Sequence, residues 1–535
     1  MFLLGEDKKV KTFFFFLSCL AGITLLYPFL DFQPSLSQGD HGANLYAFAQ
    51  TAHGKIPYKD FWYPYGPFMP YYYAFFIKIF GENIQSVLIG FCFLKFLAGI
   101  FCYLALSCAI YPFLAFVGSV WFWIFNPDFF ITFNHNAVFI IALAALYYLF
   151  SYIKTSRKID AALGLFPLFL ILFIRVNMGV FFILGFLISV VWIDAVKKIY
   201  FFKIDKKLLG ILSAGIFMLS LLLLYLFSFG FPSYSLKDYS GYFSVLLSPF
   251  EIIYRIKFYL HNMILQNISS WQGLFFSVAA LGAIGQTIIL LISARTDKNL
   301  KNILILTLGT TLIFIFFSSH EYLASGIVYR IIWIAPLEII FLFLCLGFGT
   351  KRFSPLMLYL IYCTILIIPL HKALAASGII QQIKRPQQYL ALERGRVYTA
   401  NSPQWVKTVT QTTEYLDRHL KKDESFLALP YEPIYYFLTG KESPVWHLLL
   451  IQTTNLNKEE ERAIIRTLEK KNINYIVLSN RAHSEEKDLG ILGETYLINL
   501  YQYITKNYEE VETFGDWEAP AGWIINHATK ILRRK

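Results

Sequence analysis

The segment Val176–Ile193 reads VNMGVFFILGFLISVVWI, and it is followed closely by Lys197 and Lys198. It contains no charged residue, and its length approaches the roughly 20 residues that a helix needs to cross the hydrocarbon core of a bilayer. Lysines directly after such a run are typical of a cytoplasmic loop. The segment therefore predicts a membrane-spanning helix that ends on the cytoplasmic side.

The same pattern recurs along the chain, where Lys and Arg clusters fill alternate loops between apolar runs. About eleven transmembrane helices are predicted, with an uncleaved anchor first and the N-terminus in the cytoplasm. The predicted location is the cell inner (plasma) membrane. An odd number of spans places the C-terminal region on its extracytoplasmic side. The predicted spans are Thr12–Leu30, Ile84–Ile110, Pro112–Phe125, Ala137–Ile153, Ala161–Ile174, Val176–Ile193, Leu208–Phe231, Gly273–Ser293, Ile303–Ser318, Ile327–Gly347 and Pro355–Leu370.

The composition supports a polytopic α-helical membrane protein. Hydrophobic residues make up 56% of the 535 residues and charged residues 15%, against roughly 45–50% and 25% in soluble proteins. These values exclude a soluble globular enzyme, a disordered chain and a disulfide scaffold. The net charge of +12 lies mostly in the cytoplasmic loops, so it reports orientation and does not indicate a nucleic-acid partner.

Two domains are predicted. Residues 1–371 form the transmembrane domain, whose first outside loop covers residues 31–72, and residues 372–535 form an extracytoplasmic α/β domain. The tail alternates helix-like segments (Val406–Lys421 and Asn455–Lys471, capped by Asn455 or Asn457) with strand-like segments (Ser425–Leu429 and Tyr475–Leu478). Phe68–Phe80 is too short to span and carries Lys78, so it is predicted to lie along the membrane surface.

The first outside loop is the segment richest in polar and aromatic side chains. It begins Gly39-Asp40-His41-Gly42 and continues through a stiff stretch rich in Pro, Gly and Tyr, which includes Phe61-Trp62-Tyr63-Pro64-Tyr65. Asp40 has two readings. It is either the cap of a helix that runs to about Ala52, or a carboxylate at the membrane surface that serves as a general base or a metal ligand.

The ordered set of residues in this loop resembles the first extracytoplasmic loop of GT-C membrane glycosyltransferases, and most of all the family-39-like (protein-mannosyltransferase-like) bacterial branch. The set is Asp40-x-Gly42-x3-Tyr46-x2-Ala49, then Gly54-x-x-Pro57-Tyr58-x-Asp60, then Gly66-Pro67 and a Tyr-rich run to Gly81. The resemblance implies transfer of a hexose or pentose from a polyprenyl-phosphate donor to an outward-facing acceptor, which is a glycolipid, a polysaccharide or a protein.

By position, the resemblance makes Asp40 the catalytic base and places Asp60 near a second acidic position. The chain departs from the family where many members carry a second acid, because His41 stands there. It also lacks the Lys that some members carry beside a Pro-Pro pair, so Lys59 is one candidate for the donor phosphate. His41, Tyr46, Tyr58 and Tyr65 are the loop's candidates for substrate binding, since aromatic rings offer faces to sugars.

Other candidates lie near the outer ends of the spans, where polar groups at membrane depth are costly and often functional. Asp128 is a possible second acid and His135 a possible substrate contact, although Asn126-Pro127-Asp128 is also a plain turn. The candidates for binding the donor phosphate are Arg175, Arg255 and Arg330. The candidates for binding substrate are His320 and Glu321. The alternative for the three arginines is that they are interfacial side chains that snorkel to the membrane surface. Mg²⁺ or Mn²⁺ on Asp40 and Asp128 is an open alternative.

A transporter or flippase without transferase activity is the main competing function. Transporters usually carry polar or broken helices at mid-membrane depth, whereas the polar residues here gather in outside loops. A polysaccharide ligase or polymerase is a second alternative, but such enzymes usually centre on a late outside loop, whereas the informative loop here is the first. A purely structural scaffold is a third alternative, and it leaves the residues around Asp40 unexplained. No phosphate-binding GxxxxGK[ST], HExxH or GxSxG motif occurs in the sequence.

Overall fold

The computed structural model describes residues 8–125, 134–197, 298–320, 335–349, 388–454, 456–483, 490–520 and 527–535, with positions 250, 253, 254 and 257. In chain order the elements are α1 (Lys8–Leu26), β1 (Phe32–Gln33), α2 (Asp40–Ala52), α3 (Phe68–Phe80), α4 (Ile84–Ala109), α5 (Pro112–Phe125), α6 (His135–Thr155), α7 (Lys158–Ile171), α8 (Val176–Lys197), α9 (Lys298–Ser318), α10 (Ala335–Gly349), β2 (Gln388–Leu390), β3 (Val397–Thr399), α11 (Pro403–His419), β4 (Phe426–Leu429), α12 (Ile434–Thr439), α13 (Lys458–Lys470), β5 (Tyr475–Ser479), α14 (Ile498–Asn507), β6 (Tyr508–Phe514) and β7 (Thr529–Arg534).

The described residues fall into two compact units. The first unit holds α1, α4 from Cys92 onward and α5 to α10, and the second holds residues 29–91 together with the described residues from 388 onward. The first outside loop thus belongs to the same unit as the C-terminal residues. The domain boundaries predicted from the sequence had placed this loop in the transmembrane domain. Strand β1 pairs in parallel with β3, and the Trp62 N–H donates to the Trp446 carbonyl at 3.0 Å.

Four described helical segments are long and apolar enough to span a membrane: Lys8–Leu30, Ile84–Ala109, Ala137–Thr155 and Val176–Lys197. Shorter apolar helices cover Pro112–Ile124, Ile305–Ser318 and Pro336–Gly347. A polytopic helical membrane protein is therefore confirmed, while eleven spans remain a prediction. The predicted spans Leu208–Phe231, Gly273–Ser293 and Pro355–Leu370 lie outside the described residues.

Small residues let helices of the first unit pack closely around Trp123. A Cβ atom built on Gly22 of α1 would lie 2.6 Å from the Trp123 ring, and one built on Gly99 of α4 would lie 2.2 Å from it. The Trp123 Nε1–H donates to the Lys95 carbonyl at 3.0 Å. Lipid tails are as apolar as the side chains, so close packing and hydrogen bonds of this kind hold membrane helices together.

The second unit contains two sheets. One has the strand order β1-β3-β2, and the other has the order β4-β5-β7-β6. Strands β4 and β5 are parallel, whereas β7 is antiparallel to both β5 and β6. Helices α13 and α14 contribute Ile464, Leu468, Leu500 and Ile504 to the buried cluster that also contains residues of β4 and β5. The predicted helix, strand, helix, strand order of the tail is present in this part of the chain.

Local sequence signals account for the helix ends. The Ser402 side chain accepts from the Trp405 N–H and is followed by Pro403, which suits a first helical position. Asn457 and Glu460 form a reciprocal capping box at the start of α13, which confirms Asn457 as one of the two predicted caps. Helix α3 has the predicted bounds.

Helix α3 also carries the surface expected of a helix that lies along a membrane. Tyr71, Phe75 and Ile79 follow one another at a spacing of one helical turn, and all three are exposed. Lys78 is exposed beside them. Its predicted place at the membrane surface stays a prediction that this apolar stripe favours.

Candidate functional site

Helix α2 begins at Asp40, and Gly39 is its N-cap without a side-chain cap hydrogen bond. The helix was predicted with these bounds, but the reading of Asp40 as its cap is wrong. The Asp40 side chain is half-buried, and its Oδ1 accepts a hydrogen bond of 2.5 Å from the phenol of Tyr431. The carboxylate therefore contacts a residue far along the chain.

Two glycines on either side of Asp40 permit this arrangement. A Cβ atom on Gly39 would lie 1.8 Å from the Tyr431 ring, and one on Gly42 would lie 2.2 Å from the backbone nitrogen of Ile434. The Ile434 N–H donates to the Gln38 carbonyl at 3.1 Å. The start of α2 thus fits against the segment that runs from β4 into α12 because both glycines lack a side chain.

Tyr431 lies at the carboxyl edge of the parallel pair β4 and β5, next to a buried polar cluster. The Arg481 guanidinium carbon lies 4.9 Å from the centroid of the Tyr431 ring, a cation–π distance. Arg481 and Glu432 are both fully buried. Loops at this edge of an α/β sheet commonly carry binding residues.

Burial controls the protonation of this cluster. It raises the pKa of Glu432 to about 8, although Ser479 and Arg481 act in the opposite direction. It also lowers the pKa of His527 to about 3, with a further contribution from Arg481. The His527 Nε2 lies 3.5 Å from Glu432 Oε2 and 2.9 Å from the Tyr435 hydroxyl.

Burial likewise raises the pKa of Tyr431 well above its ordinary value, and the adjacent Asp40 charge adds to this effect. Tyr431 therefore remains protonated and donates to Asp40. A half-buried carboxylate held by a neutral donor is suited to accept a proton from an acceptor hydroxyl.

The His41 side chain is packed in the interior of the first outside loop. Its Nδ1 accepts from the Ser37 backbone N–H at 2.9 Å. Burial lowers its pKa to about 3, so the imidazole is neutral at physiological pH. The structure gives this predicted substrate contact an internal position beside Asp40.

The three predicted tyrosines differ in accessibility. Tyr46 is buried, and its hydroxyl accepts from the Ser443 N–H at 3.0 Å. Tyr58 is buried in a left-handed turn with φ of 69°, and its hydroxyl donates to the Tyr65 carbonyl. Tyr65 is half-buried and is close enough to affect the pKa of Tyr431. Of the three tyrosines, Tyr65 is therefore the one that is not fully buried, and it lies near Tyr431.

Asp60 and Lys59 lie on the exposed turn that follows α2. Asp60 Oδ2 accepts from the Ile56 N–H at 2.7 Å and closes this turn. The local geometry thus gives Asp60 a structural contact.

In the first unit, the structure brings together two of the sequence segments that were singled out. His320 Nε2 lies 3.1 Å from Asn177 Nδ2, and its Nδ1 lies 2.6 Å from the Phe317 carbonyl. Since a carbonyl only accepts, Nδ1 carries the proton and Nε2 accepts from Asn177. Arg175 is buried two residues before Asn177, at the start of α8. The segment that contains Arg175 and Asn177 therefore meets His320 at the Asn177 side chain.

The remaining candidates cannot be placed. Helix α6 begins at His135, but its side chain is outside the description, as are Asp128, Arg255, Glu321 and Arg330. Among the residues that the structure describes, no three His, Cys, Asp or Glu side chains are grouped closely enough to hold a metal ion. Asp40 is thus the one described member of the predicted metal pair.

Tyr431, Arg481 and Glu432 are not among the candidates predicted from the sequence. The available signal was the segment Pro430-Tyr431-Glu432-Pro433 directly after a strand-like run. Polar residues after a buried strand often lie at a sheet edge. The pairing of Tyr431 with Asp40, however, depends on a contact between distant parts of the chain.

Structural comparisons agree with this architecture. The apo oligosaccharyltransferase of Archaeoglobus fulgidus matches 98% of this chain and 76% of its own, with a TM-score of 0.53 and 12% identity. The same archaeon's AglB, in complex with an inhibitory peptide and a dolichol-phosphate, matches 96% of this chain and 75% of its own, with a TM-score of 0.50 and 12% identity.

A looser match is the apo form of ArnT from Cupriavidus metallidurans, which covers 97% of this chain and 98% of its own with a TM-score of 0.46 and 10% identity. No protein-family model and no curated protein sequence matches the chain. The resemblance inferred from the first loop is confirmed at the level of architecture: the chain has the fold of the GT-C membrane glycosyltransferases.

Proposed function

We propose that this chain is an integral-membrane glycosyltransferase that moves a sugar from a polyprenyl-phosphate donor to an acceptor on the extracytoplasmic face. The position of Asp40 is the observation that carries the proposal. A carboxylate that starts a helix usually caps it or faces solvent, whereas Asp40 is half-buried and accepts from Tyr431.

The chemistry follows from that position. Asp40 takes the proton of the acceptor hydroxyl while the acceptor oxygen bonds to the anomeric carbon and the lipid phosphate leaves. The resemblance to GT-C enzymes implies inversion at that carbon. Tyr65, half-buried near Tyr431, offers an aromatic face to a sugar ring. The acceptor class remains open among glycolipid, polysaccharide and protein.

The lipid-phosphate donor is supported by the fold and by the cations of the outer loops. An archaeal oligosaccharyltransferase of this fold was observed with a dolichol-phosphate. In this chain we assign the donor phosphate to Arg175, which is buried two residues before Asn177, with Lys59, Arg255 and Arg330 as further candidates. An Arg guanidinium can hold two phosphate oxygens at once.

A divalent cation is a separate question. The described residues alone do not form a metal site, and Asp128 is the carboxylate that would have to complete one with Asp40. The base mechanism above includes no step at a metal. If Mg²⁺ or Mn²⁺ takes part, EDTA should abolish transfer and re-addition of the cation should restore it.

The deciding test uses the full chain in proteoliposomes with a panel of polyprenyl-phosphate hexoses and pentoses. Asp40→Asn should abolish sugar transfer, since an amide cannot accept the proton, whereas Asp423→Asn, the same change at an exposed site, should not. Loss of lipid-phosphate sugar and appearance of the glycosylated acceptor are measured together. Full transfer by Asp40→Asn would show that Asp40 is not the base. Lipid translocation by the wild-type chain without any sugar transfer would support a flippase function instead.

A further inference from the structure

Tyr431 and Asp40 are brought together from opposite ends of the chain. Tyr431 follows β4 in the C-terminal part, and Asp40 begins α2 in the first outside loop, yet their oxygens are 2.5 Å apart. Both residues belong to the same compact unit. The C-terminal part therefore contributes a group that touches the proposed base.

The surroundings fix the Tyr431 ring as well as its hydroxyl. Arg481, fully buried, lies 4.9 Å from the ring centroid, and the ring contacts Gly39 so closely that no side chain fits there. A ring held at these two contacts has little rotational freedom, so its hydroxyl presents a fixed donor to Asp40. A phenol on a mobile loop would not do so.

A fixed donor affects the carboxylate in two ways. It restricts the rotamer of Asp40, and it stabilises the ionised form that accepts a proton. Hydrogen bonds to charged groups contribute more than those between neutral groups, because the charge strengthens the interaction.

We propose that Tyr431 is a positioning residue for the base Asp40, and that the C-terminal part of the chain thereby completes the active site. This inference rests on the proposed function. Tyr431 acts through Asp40, and Arg481 maintains the Tyr431 ring in the orientation that the contact needs.

Tyr431→Phe tests the role because it removes the hydroxyl and keeps the ring against Gly39 and Arg481. With a donor that supports transfer, kcat should fall by about tenfold or more, while the donor KM changes by less than about twofold. The acid limb of the pH–rate profile should move to higher pH, since the ionised carboxylate has lost a donor. An unchanged kcat and acid limb would overturn the proposal.

Tyr436→Phe is the matched control. It also removes a buried hydroxyl, one that accepts from the Ala428 N–H at 2.8 Å, and so lowers stability without contact to Asp40. It should leave the acid limb in place. A similar shift of the acid limb in Tyr436→Phe would mean that the shift results from a general loss of stability, and it would overturn the positioning role.

A second measurement is independent of turnover. Melting temperatures of the wild-type chain, Asp40→Ala, Tyr431→Phe and the double variant form a cycle, and the two single effects should not add because the residues share one hydrogen bond. Additive effects would overturn the contact. A wild-type chain that transfers no sugar from any donor in the panel would instead defeat the proposed function, and the positioning role with it.

Discussion

Gly42 lies so close to Ile434 that a Cβ atom built on the glycine would stand 2.2 Å from the Ile434 backbone nitrogen. Real Cβ atoms essentially never approach another atom within 3.0 Å. The obstacle here is backbone, which cannot rotate away as a side chain can. The Ile434 N–H is also committed to the Gln38 carbonyl. The fit of α2 against α12, two residues from Asp40, therefore requires a glycine.

Gly42→Ala should consequently lower both the melting temperature and the transfer rate. Helix propensity alone would predict the opposite, since Ala is better than Gly inside a helix by about 1 kcal/mol. The sign of the change in melting temperature thus separates the two effects. A more stable and fully active Gly42→Ala chain would show that α2 and α12 do not meet in this way.

Local patterns were sufficient for most of the helices but not for the site. Hydropathy predicted both ends of α5 at Pro112 and Phe125, and one of the two predicted caps, Asn457, caps the start of α13. These features depend on neighbours within a few residues. Asp40 was singled out because its loop carries a dense motif.

The partner of Asp40 could not be found in the same way. Tyr431 is separated from Asp40 by most of the chain, and no local periodicity reports a contact of that kind. The sequence also gave no sign that the carboxylate of Glu432 is buried. It is buried because β4 and β5 pair in parallel, which places Arg481 after the neighbouring strand, and this pairing is not encoded by spacing.

Glu432→Gln should flatten the dependence of stability on pH. Burial raises the Glu432 pKa from 4.5 to about 8, so the folded chain retains a proton that the unfolded chain releases. Its contribution to stability is complete below about pH 4.5 and is lost as the pH rises to about 8. Gln is uncharged at every pH and removes this slope.

The measurement is the melting temperature of wild type and Glu432→Gln between pH 6.5 and 8. His527 contributes little there, because its pKa is lowered from 6.5 to about 3 and its effect falls at lower pH. The wild type should lose several degrees over this interval and the variant less. Parallel curves would show that Glu432 is already ionised in the fold.

The predicted topology makes the C-terminal part and the first loop extracytoplasmic. A cysteine at the exposed Lys422 should react with a membrane-impermeant maleimide in intact cells. A cysteine at the exposed Lys154, in a predicted cytoplasmic loop, should react only after permeabilisation. The reverse pattern would contradict the predicted orientation and the outward site, and reaction of both cysteines from the same side would contradict the odd number of spans.

Arg175→Ala should raise the donor KM by about tenfold or more and change the acceptor KM little, since a buried cation that contacts the lipid phosphate serves donor binding. Arg175 is buried at the start of α8, next to the Asn177–His320 pair. Arg175→Lys should recover part of the affinity, because an ammonium keeps the charge but not the two-pronged geometry. Lys154→Ala, which removes an exposed cation at a predicted cytoplasmic end, is the control and should leave the donor KM unchanged. An unchanged donor KM in a stable Arg175→Ala chain would show that Arg175 does not bind the phosphate, and Lys59, Arg255 or Arg330 would then be the candidates.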